Sequence, residues 1–404
     1  METTITPLSP HGPTDNGRRF PHRFLVNLAR QRFNEQVANA GIEINGSRPF
    51  DMRVVNDTFY ERVISRGAIG VVEAYVDGYW ETDQLDELAA KLFSSGINFR
   101  LGNVLTRWPY SAGLRLFRSG KHRSTLQVRK RFDLQNDLYQ AMLGCSMVYS
   151  CASWNGAADL DAAQEAKLAR IAQKVNLRPG MRVLDVGCGW GGFAKYAVEN
   201  YGVSVVGITV IKEQYELGRK MCAGLPIDLR FEDYRDLNDE RPFDAIVGIE
   251  VLEHVGYSNY RTFMNKMRRL LKPDGLLLLQ TVANNTSGLF VDARVRRSIF
   301  QTGMLPSARQ VAIASEGLLD IEEWNNLSED YDKTLLAWFK NFDAHWPELR
   351  ETYGEHFYRM WKYYLLTFAD SFRARENQLW QIFFRVRGAP VAPPNRSRRT
   401  HSTL

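Results

Sequence analysis

A glycine-rich segment is the part of the sequence best suited to holding a small cofactor. Residues 181–193 have the pattern of an apolar strand, a turn that contains Gly187, Gly189 and Gly192, and the start of a helix. Glycine permits backbone angles that a Cβ would forbid, and it lets a ligand come close to the N-terminus of the next helix. The spacing fits the G-x-G-x-x-G fingerprint of dinucleotide sites, and it also fits a tight turn that binds nothing.

Acidic residues around this turn distinguish between two classes of cofactor. A nicotinamide dinucleotide requires Asp or Glu about 20 residues further on, at the end of the next strand. The next strand here, residues 204–209, ends at Thr209 without an acid. Asp185 instead lies two positions before Gly187, and an acid-x-Gly-x-Gly turn is typical of methyltransferases. A carboxylate also suits a cofactor with a cationic sulfur and an ammonium group, so the sequence predicts S-adenosylmethionine.

Alternating strands and helices are expected to position this turn. Further strands are predicted at 203–208, 228–231, 243–249, 276–282, 319–324 and 379–386, and helices at 212–223 and 260–271. Asp161, with Gln164 three residues on, resembles the start of another helix. This alternation predicts an α/β fold with a parallel sheet and right-handed crossovers. Ligands bind such sheets at the carboxyl ends of the strands, which places together Asp185, Thr209, Asp233, Glu253 and Gln280.

Composition and charge divide the chain into segments. Residues 1–20 and 389–404 are predicted to be disordered tails. Between them we expect a smaller N-terminal domain at 21–100, a basic linker at 101–132 and the catalytic domain at 133–388. Between Glu87 and Asp133 there is no acid, whereas ten Lys and Arg residues lie among several aromatic ones. Such a stretch suits an anionic membrane surface, nucleic acid or a solvated linker. Residues 284–316 interrupt the strand–helix alternation and are predicted to form a lid.

The overall composition indicates a globular protein of a reducing compartment. The 404 residues are 44% hydrophobic and 24% charged, with a net charge of +6. No apolar run approaches the ~18 residues of a membrane-spanning helix, and the first residues lack the pattern of a signal peptide. The four cysteines have no C-x-x-C spacing, so neither a disulfide framework nor a metal site is predicted. These features predict a cytoplasmic protein.

Seven motifs in order resemble one enzyme family. They are Tyr149–Trp154, Val183–Gly192, Val206–Thr209 with Glu213 and Gln214, Asp233–Asp236, Leu252–Gly256, Asp330–Asp332 and Phe372–Arg375. Together they resemble the cyclopropane-fatty-acyl-phospholipid synthases over about residues 133–387. The resemblance implies a Rossmann-like class I methyltransferase fold with a mostly parallel seven-stranded sheet. The N-terminal region resembles, more loosely, the extra lipid-associated domain of the bacterial phospholipid enzymes.

The resemblance also implies a reaction. The π electrons of a cis double bond in a membrane acyl chain attack the methyl group of the cofactor, and a bound bicarbonate ion then removes a methyl proton so that a cyclopropane ring closes. The implied bicarbonate contacts are Cys151, Glu253, Tyr331, the backbone of Val282 and the side chain at position 280. The implied cofactor contacts are Tyr149, Ser150, Gly187, Gly189, Thr209, Gln214 and Asp233, beside Asp185. The implied partner is a membrane phospholipid, which the enzyme would bind as a peripheral protein at the inner membrane. Formation of a homodimer is left open.

Two departures from the family pattern keep other products open. Gln280 stands where the family has a His, and it cannot become cationic. Gln135 stands where the family has a Gly, within Arg131–Asp137. Bicarbonate binding is therefore in question, and a methyltransferase that gives a methyl- or methylene-branched acyl chain without ring closure is the alternative. A nucleic-acid-binding protein is a third hypothesis, without a zinc or helix-turn-helix signature to support it.

Overall fold

The computed structural model describes residues 20–95, 135–287 and 305–389. The predicted tails and the predicted basic linker lie outside these ranges, apart from Phe20 and Ala389 at the edges. Most of the predicted lid, residues 288–304, also lies outside them. In the part that is described, no helix is both long enough and apolar enough to cross a membrane.

A small N-terminal unit is built from four helices and one short β-ribbon. Its elements are α1 (Phe20–Asn39), β1 (Arg53–Val54), α2 (Thr58–Arg66), α3 (Ala68–Val76), β2 (Trp80–Glu81) and α4 (Leu85–Ser94). Buried rings of Phe33, Phe59, Tyr60 and Trp80 form its apolar core, which also includes Leu366 from far along the chain. The core is therefore closed by a C-terminal helix rather than by the N-terminal unit alone.

A seven-stranded sheet forms the centre of the remaining chain. Its strands are β3 (Arg182–Val186), β4 (Ser204–Thr209), β5 (Ile227–Phe231), β6 (Phe243–Ile249), β7 (Leu271–Asn284), β8 (Leu319–Asn326) and β9 (Asn377–Val386). They lie in the order β5-β4-β3-β6-β7-β9-β8. The first five are parallel, and β9 is antiparallel to both neighbours. The predicted α/β fold with a mostly parallel sheet is confirmed.

Both faces of the central strands are covered by apolar layers. In β3, Leu184 and Val186 belong to one buried cluster and Val183 to the cluster on the opposite face. In β7, Leu277 and Leu278 divide between the same two clusters. Successive side chains of a strand point to opposite faces, so a strand buried on both sides is a continuous apolar run. This is why the sequence signal of these strands is strong.

Nine helices of the described chain after residue 134 connect and cover the sheet. They are α5 (Asn136–Leu143), α6 (Leu160–Lys174), α7 (Gly192–Tyr201), α8 (Lys212–Met221), α9 (Leu252–Val255), α10 (Tyr260–Leu270), α11 (Ala308–Ser315), α12 (Ser328–Ala344) and α13 (Trp346–Arg373). One predicted boundary was wrong: Asp159, not Asp161, caps α6, because its carboxylate accepts from the Ala162 N–H at 2.9 Å. Asp161 accepts instead from the Cys145 N–H at 3.1 Å, which ties α6 to the preceding loop.

Candidate active site

A cleft opens at the carboxyl ends of β3, β4 and β6, the edge at which parallel sheets bind ligands. Its empty space amounts to about 1140 Å³, including the part open to solvent. All eight positions predicted to contact the cofactor line this cleft, namely Tyr149, Ser150, Asp185, Gly187, Gly189, Thr209, Gln214 and Asp233. Their contacts with a cofactor stay a prediction, but the fold brings them to one place.

The glycine turn has the backbone that its sequence predicts. Gly187 has φ +75°, a left-handed conformation that a side chain would strain, and its N–H donates to the Ile208 carbonyl at 2.9 Å. Gly192 is required for a different reason: a Cβ there would lie 2.6 Å from the Ser146 carbonyl oxygen. The turn is thus fixed to β4 on one side and to the loop before α6 on the other. Beside Gly189, a Cβ would enter open space, which leaves room for a ligand against the backbone.

Asp185 places a carboxylate at the bottom of the cleft. Only 2% of the residue is exposed, and its Oδ2 has no hydrogen-bond partner in the described structure. Burial raises the pKa of this carboxyl to about 7, and the charge of Lys167 acts in the opposite direction. A buried carboxylate oxygen without a donor is suited to a cationic ligand group. The residues present therefore fit the ammonium group of S-adenosylmethionine.

The far side of the cleft is closed by the ends of β4 and β5. The Thr209 hydroxyl lies 3.0 Å from Gln214 Oε1 and also accepts from the Ile211 N–H at 3.2 Å, which fixes the start of α8. Asp233 is one of the implied cofactor contacts, and its carboxylate accepts from the Arg235 guanidinium through bonds of 2.6 and 2.8 Å. A cofactor contact at Asp233 would have to be shared with that guanidinium.

Helix α6 holds the loop of residues 147–151 against the cleft. The amide of Gln164 donates to the Ser150 carbonyl at 3.0 Å, and the Lys167 ammonium donates to the Ser150 hydroxyl at 2.9 Å. Lys167 is 2% exposed, and burial lowers its pKa to about 8. The ring of Tyr149 packs on Trp338 with a centroid distance of 4.9 Å, and its hydroxyl lies 3.2 Å from that of Tyr364. The sequence analysis missed Lys167, because a lysine within a helical pattern is normally exposed.

Glu250 is the most consequential residue that the sequence analysis missed. It follows the last residue of β6, and its partly buried side chain lines the cleft. Its Oε1 accepts from the Cys151 backbone N–H at 2.9 Å and from the Gln280 amide at 3.3 Å. Its Oε2 accepts from the Tyr331 hydroxyl at 2.6 Å. An acid directly after a central parallel strand is a signal that was available in the sequence.

The residues predicted as catalytic lie behind Glu250 rather than on the cleft wall. Cys151, Gln280 and Tyr331 meet at its carboxylate. Burial raises the pKa of the Cys151 thiol well above its usual value, and the bond from Cys151 to Glu250 comes from its backbone N–H.

Glu253 and Val282 form a separate pair next to this group. The Val282 N–H donates to Oε1 of Glu253, so the two residues are neighbours, while their contact with a shared ion stays a prediction. Burial, together with the neighbouring charge of Glu250, raises the pKa of Glu253 to about 8. Both oxygens of Glu250 accept hydrogen bonds, from three donors, and this favours its charged form, whereas the carboxyl of Glu253 receives one, from the Val282 N–H, in the described structure.

Comparisons with known proteins agree with this architecture. Residues 119–382 match the family model described as mycolic acid cyclopropane synthetase. The chain belongs to this family. It is 46% identical over 352 residues to the cyclopropane-fatty-acyl-phospholipid synthase of Escherichia coli (strain K12), across 87% of this chain and 92% of that protein. It is 30% identical over 281 residues to cyclopropane mycolic acid synthase 2 of Mycobacterium tuberculosis, across 63% of this chain and 92% of that one.

Solved structures of the mycolic acid cyclopropane synthases share the fold. The cyclopropane synthase MmaA2 from Mycobacterium tuberculosis is 29% identical, with a TM-score of 0.60, over 65% of this chain and 98% of its own. The mycolic acid cyclopropane synthase CmaA1, solved in complex with SAH and CTAB, is 30% identical, with a TM-score of 0.60, over 65% of this chain and 98% of its own. This chain is an S-adenosylmethionine-dependent methyltransferase of the class I fold, as the sequence predicted.

Proposed function

We propose that this enzyme transfers a methylene unit from S-adenosylmethionine to the cis double bond of unsaturated phospholipid acyl chains, so that a cyclopropane ring forms. The observation that carries the proposal is the buried group of Glu250, Cys151, Gln280 and Tyr331 at the edge of the cofactor cleft. The 46% identity to the Escherichia coli phospholipid enzyme, over 87% of the chain, supports the substrate class.

The cofactor residues orient the methyl donor. The carboxylate of Asp185 would hold the ammonium group, the glycine turn would admit the ligand to the backbone, and Thr209 and Gln214 would close the far side. When bound, the cofactor supplies a methyl group on a cationic sulfur. An alkene is a poor nucleophile, so the protein must contribute orientation and a site without water.

Aromatic rings lie beside Glu250, where we expect positive charge to develop on the acyl chain. Tyr331 packs on Phe372 with ring centroids 4.5 Å apart and meets Trp338 edge to face at 6.2 Å. Their faces carry negative electrostatic potential and stabilise a carbocation without donating an electron pair to it. Rings that exclude water also prevent the cation from being trapped as an alcohol.

The residues do not fit a bound bicarbonate ion, which the family resemblance implied. The donors expected for that ion, at Cys151, Tyr331 and position 280, are already bonded to the carboxylate of Glu250. A further anion would lie beside a charged carboxylate in a buried site, which is unfavourable. We therefore derive no step through bicarbonate.

We further propose that the enzyme works in the cytoplasm, at the surface of the inner membrane. The segment between Glu87 and Asp133, with ten basic residues and no acid, has the charge that anionic lipid headgroups attract. The relatives modify lipids, so the nucleic-acid hypothesis is not carried further. A homodimer stays a prediction.

Expression in a host without cyclopropane lipids tests the function. The expected result is a gain of one CH₂ per modified acyl chain, with loss of the alkene and new cyclopropyl proton signals in the NMR spectrum. Methyl- or methylene-branched chains would support the alternative, in which the ring does not close. Unchanged alkenes in the presence of soluble, cofactor-binding protein would contradict both.

A further inference from the structure

We propose that the carboxylate of Glu250 is the base that closes the ring, so that this enzyme needs no free bicarbonate. The inference rests on the proposed function, because it assigns the proton acceptor of that reaction. Glu250 touches the cleft on one side and three donors on the other. Among the carboxylates of the described residues, it is Glu250 that accepts from Cys151, Gln280 and Tyr331, while the Val282 N–H is bonded to Glu253.

The donor set defines what the site binds. Oε1 receives one backbone and one amide donor, from Cys151 and Gln280, and Oε2 receives the Tyr331 hydroxyl. A carboxylate and a bicarbonate ion present the same planar pair of oxygens, so one donor set serves either but not both. Here the chain itself supplies the pair of oxygens.

The backbone of Glu250 is held in an uncommon conformation. Its φ is +55°, in the left-handed region that residues other than glycine seldom adopt. Its N–H donates to the Gln280 carbonyl at 2.7 Å, which fixes the end of β6 against β7. A conformation of this kind persists where surrounding contacts enforce it, and such positions cluster at functional sites.

The charge state of the group suits a base. Burial raises the pKa of Glu250, while the bonds from Tyr331, Cys151 and Gln280 act against this shift. The three donors on its two oxygens favour the charged form of Glu250. A carboxylate with a pKa above that of an ordinary glutamate is a better general base near neutral pH.

The chemical step balances without a further reagent. The alkene π pair forms the bond to the methyl carbon, and the donor sulfur keeps the electron pair of the bond that breaks. A C–H bond of the new methyl group then breaks: its electron pair forms the second ring bond to the cationic carbon, and its proton passes to Glu250. The resulting carboxylic acid loses this proton to water before the next turnover.

The experiment compares ring formation by the full-length enzyme on vesicles of unsaturated phospholipid, in CO₂-free buffer and with added bicarbonate. The wild type is expected to have the same activity in both. Glu250→Gln, which keeps the shape but cannot accept the proton, is expected to lose about 10²–10⁴-fold in rate, while its affinity for S-adenosylmethionine is unchanged. Glu316→Gln, the same change at an exposed position after α11, is the matched control.

A second variant distinguishes a base from a structural residue. Glu250→Gly removes the side chain, relieves the left-handed backbone and leaves the three donors free for an added anion. Bicarbonate is expected to restore ring formation in this variant and not in Glu250→Gln. A wild type that forms rings only with bicarbonate, or a fully active Glu250→Gln, would overturn the inference while the proposed function stands. If the wild type forms no ring in either buffer, the proposed function itself fails.

Discussion

The hydroxyl of Tyr331 and the carboxylate of Glu250 are joined by a bond of 2.6 Å, although 81 positions separate them in the chain. Tyr331 lies in the first turn of α12 and Glu250 at the end of β6. The bond therefore connects the helical C-terminal part to the central sheet at the point where chemistry is proposed.

Loss of this bond is expected to slow the reaction and to change its pH dependence. Tyr331→Phe removes one donor to a charged oxygen, a bond worth about 1.5–3 kcal/mol, so we expect a rate loss of about 10- to 100-fold. The donor lowers the pKa of Glu250, and without it that pKa rises further. The acidic limb of the pH–rate profile should then move to higher pH. Tyr257→Phe, at an exposed position, is the control, and an unshifted limb would contradict the assignment.

Gln280 is expected to support the carboxylate rather than to prevent ring closure. Its amide donates to Glu250, and its oxygen accepts from Gln381 at 3.3 Å. Gln280→Leu removes the donor and is expected to reduce the rate about tenfold. Because Glu250 already supplies a base, Gln280→His should give no more ring product than the wild type. Product NMR on both variants checks this, with exposed Gln173→Leu as the control. More ring product from Gln280→His would favour the hypothesis, made from the sequence, that Gln280 hinders ring closure.

Asp185 is expected to make cofactor binding depend on pH. The pKa of its carboxyl is raised to about 7, and only the charged form attracts an ammonium group. Affinity for S-adenosylmethionine should therefore increase as the pH rises through about 7. Asp185→Asn should weaken binding about 10- to 100-fold and remove this dependence. Calorimetric titrations between pH 6 and 8 are the measurement, and equal affinities for both proteins would refute the role.

The same carboxyl should cost stability when no cofactor is bound. The folded protein binds its proton more tightly than an unfolded chain, where the pKa is near 3.8. The free energy of unfolding therefore falls as the pH rises from about 4 to about 7. Above pH 7, cofactor-free Asp185→Asn is expected to be more stable than the wild type, by about 1–3 kcal/mol. Urea unfolding at pH 5 and 8 tests this, with exposed Asp320→Asn as the reference.

Arg359 is expected to fix the N-terminal unit to the catalytic domain. Its guanidinium donates to the Tyr75 carbonyl and to Glu81 at 2.6–2.8 Å. Arg359→Met removes a charged donor from both acceptors, although the Tyr75 carbonyl still accepts from the Gly78 N–H at 3.0 Å. We expect a loss of about 1.5–3 kcal/mol in unfolding free energy. Limited proteolysis should then cut the N-terminal unit first. Exposed Arg350→Met is the control, and equal stability of the two variants would show that the apolar contacts alone hold the unit.

The parts of the fold that depend on local patterns could be predicted from the sequence. The turn at Gly187 requires a left-handed backbone, which its glycine pattern indicates, and the strands around it are continuous apolar runs. Each of these patterns is contained in a few consecutive residues of the sequence. The cap of α6 was misplaced because Asp159 and Asp161 both precede the helix, and only the structure shows which carboxylate faces the free N–H groups.

The central carboxylate could not be predicted in the same way. The donors to Glu250 lie 99, 30 and 81 positions away in the chain, on a loop, a strand and a helix. No periodicity links such positions, and the family resemblance directed attention to Glu253. Likewise, burial of Lys167 depends on the loop that folds over α6, which a helical pattern does not report.

Helix α13 belongs to two cores at once. Trp361, Tyr364, Leu365, Phe368 and Phe372 face the aromatic cluster that contains Tyr331, whereas Leu366 is buried in the N-terminal unit. One inserted residue would rotate everything beyond it by about 100° and remove both sets of contacts together. The backbone of α13 is non-helical at Gly354 (φ +75°), and all of these contacts come from the part that follows. The register of that part is therefore under a stricter constraint than the identity of any one of its side chains, and insertions or deletions between Gly354 and Phe372 should be absent from functional variants of the chain.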